Sequence, residues 1–340
     1  MIVREVRDAV RRLGLAGRSV LVAVSGGLDS VALLHVLREL AVRQELHLSI
    51  GHVNHGLRGD ESEGDEHAVR AVGRAIGLEV RVQRVDPAAY RLGRSSRDRP
   101  TVQEAARELR YRALRRIADE LGCDCIATAH NADDQAETVL LRLFRGTGPD
   151  GLGGIPESSA DGKIVRPLLR VERREIARFA SEGGLRWRED SSNASDVYAR
   201  NRLRRHWLPG LVRDFNPRLL RAIGSLAEAQ QKDAEWIAGL VAREAAARFS
   251  AEDVWLCIDG KDWGSLPEAL SLRLARCAVE QCGGGRHASR VHLARMVAFF
   301  CAGRPGSAIE LPAGLRLWRA SSPEAGFRLG PLPREAAGKR

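Results

Sequence analysis

Between Arg18 and about Gly154, short apolar runs alternate with stretches whose apolar residues recur at helical spacing. That alternation predicts a parallel sheet with a helix after each strand. Val20 to Val24 is apolar throughout, as a strand buried on both faces requires. A turn at Ser25-Gly26-Gly27 follows, then a helical stretch from about Ser30 to Leu40. Leu46 to Val53 predicts a second strand. The next helix opens with Asp60, Glu61, Glu63, Asp65 and Glu66, where negative charge suits the helix dipole, and stops near Gly77. Leu78, Val80 and Val82 alternate with polar residues and predict a third strand nearer an edge. Tyr90 to Pro100 reads as a polar loop carrying Arg91, Arg94, Arg97 and Arg99. Thr101 and Glu104 form a capping box for a helix whose apolar face runs from Val102 to Leu121. Cys125 to Ala129 predicts a fourth strand, followed by a helix to about Phe144 and a flexible segment with glycines at 146, 148, 151, 153 and 154.

The pattern then changes. Residues 172–182 and 218–247 read as helices, with Asn216-Pro217 as a boundary, and Ala308 to Trp318 reads as two short strands around a Pro/Gly turn. The expected fold is α/β, a parallel sheet with helices on both faces over residues 1–215, including a basic helical extension from about 166. A smaller, mainly helical domain with terminal short strands is expected over 216–330, then a tail over 331–340.

Composition narrows the class. The 340 residues are 44% hydrophobic and 29% charged, which excludes ordinary disorder, and no apolar run approaches the roughly 18 residues of a membrane span. Met1 to Arg18 lacks the apolar stretch of a secretory signal, so the expected location is the cytoplasm. Six cysteines show no C-x-x-C spacing and read as reduced structural thiols. His35 and His47 lie in apolar segments and read as packing residues. Of the net +10, the stretch from Arg166 to Leu219 supplies +6, with 13 Arg against 7 acids. A concentrated basic stretch is a candidate nucleic-acid surface or a solvated face, and charge alone does not choose.

The informative chemistry is Val24-Ser25-Gly26-Gly27-Leu28-Asp29-Ser30, set between a buried strand and a helix. Two glycines let the backbone approach a ligand, and the helix start presents free N–H groups to an anion. Neither G-x-x-x-x-G-K-[ST] nor a strand-following G-x-G-x-x-G occurs. Asp29 beside phosphates calls for a cation between them. His52 and His130 also follow strand ends, so three segments converge on the carboxyl edge of the sheet, where ligands of such sheets bind.

The segment Ser25 to Ser30 resembles the SGGxDS loop of the ATP-pyrophosphatase class. The further segments His52 to Arg58, Gln103 to Arg107, Arg110 to Arg112, and Thr128 to Thr138 are similar to those of the tRNA(Ile)-lysidine synthetase family. So are Leu141 to Gly148, Arg166 to Leu169, Glu189 to Asn193, and Arg200-Asn201. The resemblance covers roughly residues 20–205 and implies a Rossmann-like, adenine nucleotide α-hydrolase-like fold. It implies ATP and Mg²⁺ as cofactors, L-lysine and an isoleucine tRNA with a CAU anticodon as substrates, and no membrane partner. In the implied reaction ATP adenylates the C2 carbonyl oxygen of the wobble cytidine with release of pyrophosphate. The lysine amine then displaces AMP, converting an AUG reader into an AUA reader.

On that basis Ser25, Gly26, Gly27, Leu28, Asp29, Ser30 and His52 are the expected nucleotide contacts, with Asp29 and Asp133 for Mg²⁺. Asp29, His130, Asp133, Asp134, Glu137, Arg107 and Arg112 are the expected catalytic set, the acids holding the ammonium groups of lysine and accepting a proton. Arg145 is a candidate cation near the reacting phosphate, and Arg166, Arg200, Arg202, Arg204 and Arg205 are the expected tRNA phosphate contacts. A tRNA thiolase or a small-molecule amide ligase would share the loop. A non-enzymatic RNA-binding protein would explain the charge but not the loop.

Overall fold

The computed structural model describes residues 1–57, 59–93, 99–188, 198–285, 288–321 and 326–331. Arg58, Arg94, Arg97, the segment Glu189 to Asn193 and nearly all of the expected tail lie outside these residues. The chain forms two compact units, Met1–Gln231 and Lys232–Arg340.

In the first unit, helix α1 (Ile2–Arg12) precedes strand β1 (Ser19–Ala23), helix α2 (Leu28–Gln44), β2 (His47–Asn54), α3 (Asp60–Ile76) and β3 (Val80–Arg84). The short α4 (Pro87–Leu92) leads to α5 (Val102–Glu120), β4 (Cys125–Ala127) and α6 (Ala132–Phe144). Then come α7 (Pro149–Leu152), β5 (Ile164–Val165), α8 (Arg173–Glu182), α9 (Ala199–Arg202), a π-helical turn (Leu203–Trp207), α10 (Leu208–Asp214) and α11 (Leu219–Arg248). The strands pair in parallel in the order β3-β2-β1-β4-β5. β3 is an edge, as its alternating pattern predicts, and β1 is central, with Val20, Leu21 and Val22 fully buried. Alternate residues of β1 feed two cores: Val20 and Val22 pack with Leu33, Val36, Leu37 and Val69, and Leu21 with Leu114 and Ile117. Because the chain runs outward from β1 through β2 to β3 and then crosses back to β4 on the other side of β1, the strand order reverses at β1 and opens a crevice at its carboxyl end.

Capping boxes start α5 at Thr101/Glu104 and α6 at Asn131/Asp134. At the mid-helix residue Gly73, an added Cβ would lie 2.1 Å from Val80 Cγ2, so the missing side chain lets α3 press onto the edge strand.

The second unit contains the end of α11 and β6 (Phe249–Glu252), β7 (Trp255–Ile258), α12 (Glu268–Gln281), α13 (Arg290–Ala302), β8 (Ala308–Leu311), β9 (Leu315–Arg319) and β10 (Phe327–Pro331). Its strands form one antiparallel sheet, β6-β7-β10-β9-β8. Phe300 joins that core, stacked on Trp263 at 3.9 Å between ring centres and edge-on to Phe327.

Several expectations change. The units divide at residue 231, not 216, because Ile223 and Ala227 at the start of α11 are buried against Ala136 and Val139 of α6. The C-terminal strands number five among the described residues, since β6, β7 and β10 pair with the expected hairpin. Pro331, expected in the tail, ends β10. The polar loop at Tyr90 is partly the helix α4, capped by Asp86. His47 is exposed and only half of the packing pair expected of His35 and His47 is even partly buried. The glycine segment after Phe144 is tied down: Gln135 bonds both the N–H and the carbonyl of Ile155, and Arg142 donates to the carbonyls of Gly151 and Gly154. Gly154 there has φ +61° and leaves no room for a Cβ beside Gln135.

Substituting Gly73→Ala should force α3 away from β3 and cost about 1–3 kcal/mol, read as a lower urea midpoint at unchanged slope.

Candidate active site

The loop Ser25-Gly26-Gly27 follows β1 directly. Gly26 has φ +91°, a conformation side chains rarely adopt, and Gly27 is the N-cap of α2. Ser30 Oγ donates to the Gly27 carbonyl at 2.9 Å and accepts from the Ser25 N–H at 3.1 Å, which fixes the loop against the first turn of the helix. The N–H groups of that first turn have no intrahelical acceptor and carry the positive end of the helix dipole. Together they form a cradle for an anion.

This loop floors a cleft of about 1300 Å³ at the carboxyl edge of the sheet. Among the expected nucleotide residues, Ser25, Gly27, Leu28, Asp29, Ser30 and His52 line it. Gly26 shapes the loop beneath. Asp29 Oδ1 is buried without a hydrogen-bond partner, and its other oxygen lies 3.9 Å from Arg173. Burial raises the Asp29 carboxyl above the usual range, Arg173 opposes this, and Asp134 adds to it. The Asn131 side chain opposes the rise as well, but Oδ1 makes no full hydrogen bond, and such a buried carboxylate oxygen fits a cation. Among the described residues no set of three or more acidic, His or Cys groups forms a full metal site. Asp29 is the side chain in the cleft that would hold such a cation.

His52, only 4% exposed, places Nδ1 2.8 Å from the Val24 carbonyl. A carbonyl only accepts, so Nδ1 carries the proton and Nε2, buried without a partner, is a bare acceptor. Burial lowers the pKa of this ring, against the backbone hydrogen bond. His130, with Nδ1 3.0 Å from Thr128 Oγ1, is pushed down to about 3, first by burial, with Arg166, Arg110 and Arg107 adding to it and Asp134 opposing. Both rings are neutral at pH 7.

On the opposite wall, Glu137 is fully buried beneath two arginines. Arg200 Nε donates to Glu137 Oε2 at 2.6 Å and Arg200 Nη2 to Asp134 Oδ1 at 2.7 Å. Arg204 bonds the same two acids, Nε to Glu137 Oε1 at 2.5 Å and Nη2 to Asp134 Oδ1 at 3.1 Å. Burial pulls the Arg204 guanidinium down, but its hydrogen bond and charge interaction with Glu137 outweigh that and raise it. Asp134, Arg200 and Arg204 line the cleft with Arg107, Arg110 and Arg173.

The structure rearranges several expected roles. Asp133 is not among the residues that line the cleft: its carboxylate accepts the Arg173 N–H at 2.8 Å at the start of α8. Asp134 and Glu137 share the two arginines. Arg112 pairs with Glu108 at 2.6 Å on the exposed side of α5 and does not line the cleft. Arg145 is exposed and likewise outside it. Arg166, expected at the tRNA surface, is 6% exposed and donates to the Pro156 carbonyl. Arg200 and Arg204 belong to the cleft's charge cluster, Arg205 is exposed but also lines the cleft, and Arg202 is exposed outside it.

Sequence reasoning missed Arg173, Arg188 and Tyr198, which line the cleft. Arg188 donates its N–H to the Gly26 carbonyl and pairs with Asp65 at 2.7 Å; its guanidinium occupies the space that a Cβ on Gly64 would fill. A glycine inside the acidic start of α3 was the available signal. Cys123 and Cys125 are buried, and burial pushes the Cys125 thiol up to about 11. No cysteine is among the described residues that line the cleft.

Residues 2–211 match the PP-loop domain family. The chain is 39% identical to the tRNA(Ile)-lysidine synthase of Solibacter usitatus over 270 residues, 79% of this chain and 58% of that protein. It is 35% identical to that of Symbiobacterium thermophilum over 324 residues, covering 92% and 66%. It is 31% identical to that of Bacillus thuringiensis subsp. konkukian over 326 residues, covering 94% and 67%. The chain thus spans roughly three fifths to two thirds of the length of these curated relatives. Among solved structures, the U34-tRNA thiolase NcsA from Methanococcus maripaludis superposes with a TM-score of 0.54 at 21% identity over 67% of this chain and 77% of its own, a likeness of fold.

The neutral histidines set a pH dependence. Their folded pKa values lie below the ordinary 6.5, so the unfolded chain binds more protons at acidic pH. Their contribution is complete above pH 6.5 and is lost as pH falls toward 3. Urea unfolding should show this decline, and His130→Gln should flatten it. Substituting Glu137→Gln leaves two guanidinium groups under-compensated. It should cost on the order of 2–3 kcal/mol in the same experiment, less than for a fully buried pair because the arginines are part-exposed.

Proposed function

The chain belongs to the tRNA(Ile)-lysidine synthase family of PP-loop proteins, and from that premise we propose that it joins L-lysine to C2 of the wobble cytidine in the CAU-anticodon isoleucine tRNA at the expense of ATP. The observation that carries the reading is the meeting, in one cleft, of an anion cradle, a partnerless buried carboxylate oxygen and a cationic wall.

A cytidine C2 carbonyl oxygen is a weak nucleophile, so the first step depends on positioning and on neutralising the triphosphate. The loop amides, Ser25 and Ser30 hold phosphate oxygens. Asp29 is the carboxylate for Mg²⁺, which when bound supplies charge neutralisation of the phosphates. Arg107, Arg110 and Arg173 face the same space and stabilise charge on the departing pyrophosphate. His52 Nε2 offers an acceptor, which suits a hydroxyl or an exocyclic amine of the nucleotide.

The second step needs a neutral amine, although free lysine is cationic at pH 7. Asp134 lines the cleft and is the acid positioned to hold the ammonium group and take its proton. Glu137 acts behind it, holding Arg200 and Arg204 in place. Arg202 and Arg205 contact tRNA phosphates, and the second unit adds contacts to the same tRNA. A thiolase reading lacks a cleft cysteine to carry sulfur among the described residues.

Incubation with ATP, Mg²⁺, labelled lysine and CAU-anticodon transcripts should label the isoleucine tRNA and spare the methionine tRNA. Label in neither returns the small-molecule ligase reading. Asp134→Asn should cut lysine transfer by about 10²-fold or more while ATP affinity holds; unchanged transfer removes Asp134 from the second step. Neutralising Arg202, which lies outside the cleft lining, should weaken tRNA binding and lower its salt dependence without changing ATP binding.

A further inference from the structure

The stretch Ala199–Asp214 is one helical run in which α9, the π turn and α10 follow each other without a break. Its inner side is accounted for: Leu203 and Leu208 are buried, and Arg200 and Arg204 hold Asp134 and Glu137. The π turn matters here. Residues three apart on an α-helix share a face, but the wider turn breaks that relation, so Arg204 points into the cleft wall while Trp207 is 66% exposed. Just past the run, Phe215 is 80% exposed.

Neither ring is needed to close the core. Arg202, Arg205, His206 and Arg213 are exposed alongside them, and residues 199–218 carry six Arg against one acid, Asp214, which Arg213 already pairs at 2.6 Å. Large exposed apolar groups mark interaction sites, and rings interleaved with cations suit single-stranded nucleic acid, whose bases stack while its phosphates pair. The surface is also continuous with the site, since Tyr198 and Arg205 of the same segment line the cleft. An acidic protein partner would use the arginines but has no general need for two flat rings on the order of 12 Å apart along a helix.

We propose that Trp207 and Phe215 are stacking platforms for unpaired bases of the RNA substrate, delivering the loop that holds the target nucleotide to the cleft. This rests on the tRNA reading above. Stacking makes the contact selective for unpaired RNA, whereas Arg202 and Arg205 contribute the sequence-independent attraction.

The test uses the full chain, a labelled RNA hairpin with an unpaired loop, and a blunt RNA duplex of equal charge. Trp207→Ala and Phe215→Ala should each weaken hairpin binding about tenfold and leave duplex binding, the salt slope and ATP affinity unchanged, with Trp207→Phe restoring most of the loss. Unchanged hairpin affinity in both alanine variants overturns the proposal, and so does an equal loss for hairpin and duplex. A change in self-association by sedimentation with hairpin affinity unchanged assigns the rings to a protein contact and also overturns it. Hairpin preference that depends on both rings in a protein that transfers no lysine supports the platforms while the lysine reading fails.

Discussion

A carboxylate with no exposed surface cannot stay ionised alone, and Glu137 solves this with two guanidinium groups that arrive 63 and 67 residues later in the chain. One wall of the cleft in the first unit is arranged around that contact. To bring Arg200 and Arg204 to Glu137, the chain must return across the carboxyl edge of the sheet, which puts Leu203 and Leu208 inside and Arg202 and Trp207 outside. The same contact holds Asp134 at the cleft, because both arginines bridge it to Glu137. Arginine suits this task better than lysine: its planar fork bonds two carboxylates and still presents N–H groups to a ligand.

Around this cluster the charges are sorted by position. The floor is built of backbone N–H groups and hydroxyls, the wall of arginines, and the two histidines are kept neutral by burial. Fixed positive charge thus gathers where a polyanion would sit, while acids that could repel it are either neutralised, as Asp134 and Glu137 are, or occupied in capping, as Asp133 is. Asp29 is the exception, and its partnerless oxygen is the reason a cation fits there.

The local signals in the chain were easy to read where one segment carries the whole cause. Apolar runs and their spacing placed β1, β2, α5 and α6 to within a few residues, the capping box at Thr101/Glu104 formed as written, and the glycine loop lies where it must. The two-residue strand β5 has too little pattern to see, and α1 has no expected counterpart because it is stabilised by packing Val6 and Val10 into the core rather than by a distinctive motif.

Sequence alone determined the fold class and the glycine loop between β1 and α2, because turn chemistry, helix capping and hydrophobic period act between near neighbours. Tertiary structure decided which acid faces the cleft. Asp133 and Asp134 are adjacent in sequence, yet one caps a helix 40 residues away and the other meets two arginines. It also decided that Arg166 is buried, that Arg112 looks outward, and that Arg200 and Arg204 meet the buried acids while Arg202 faces solvent and Arg205 stands exposed at the cleft. Charge in a sequence has a sign but no direction. Direction comes from which desolvated partner each side chain meets, and those partners are distant in the chain.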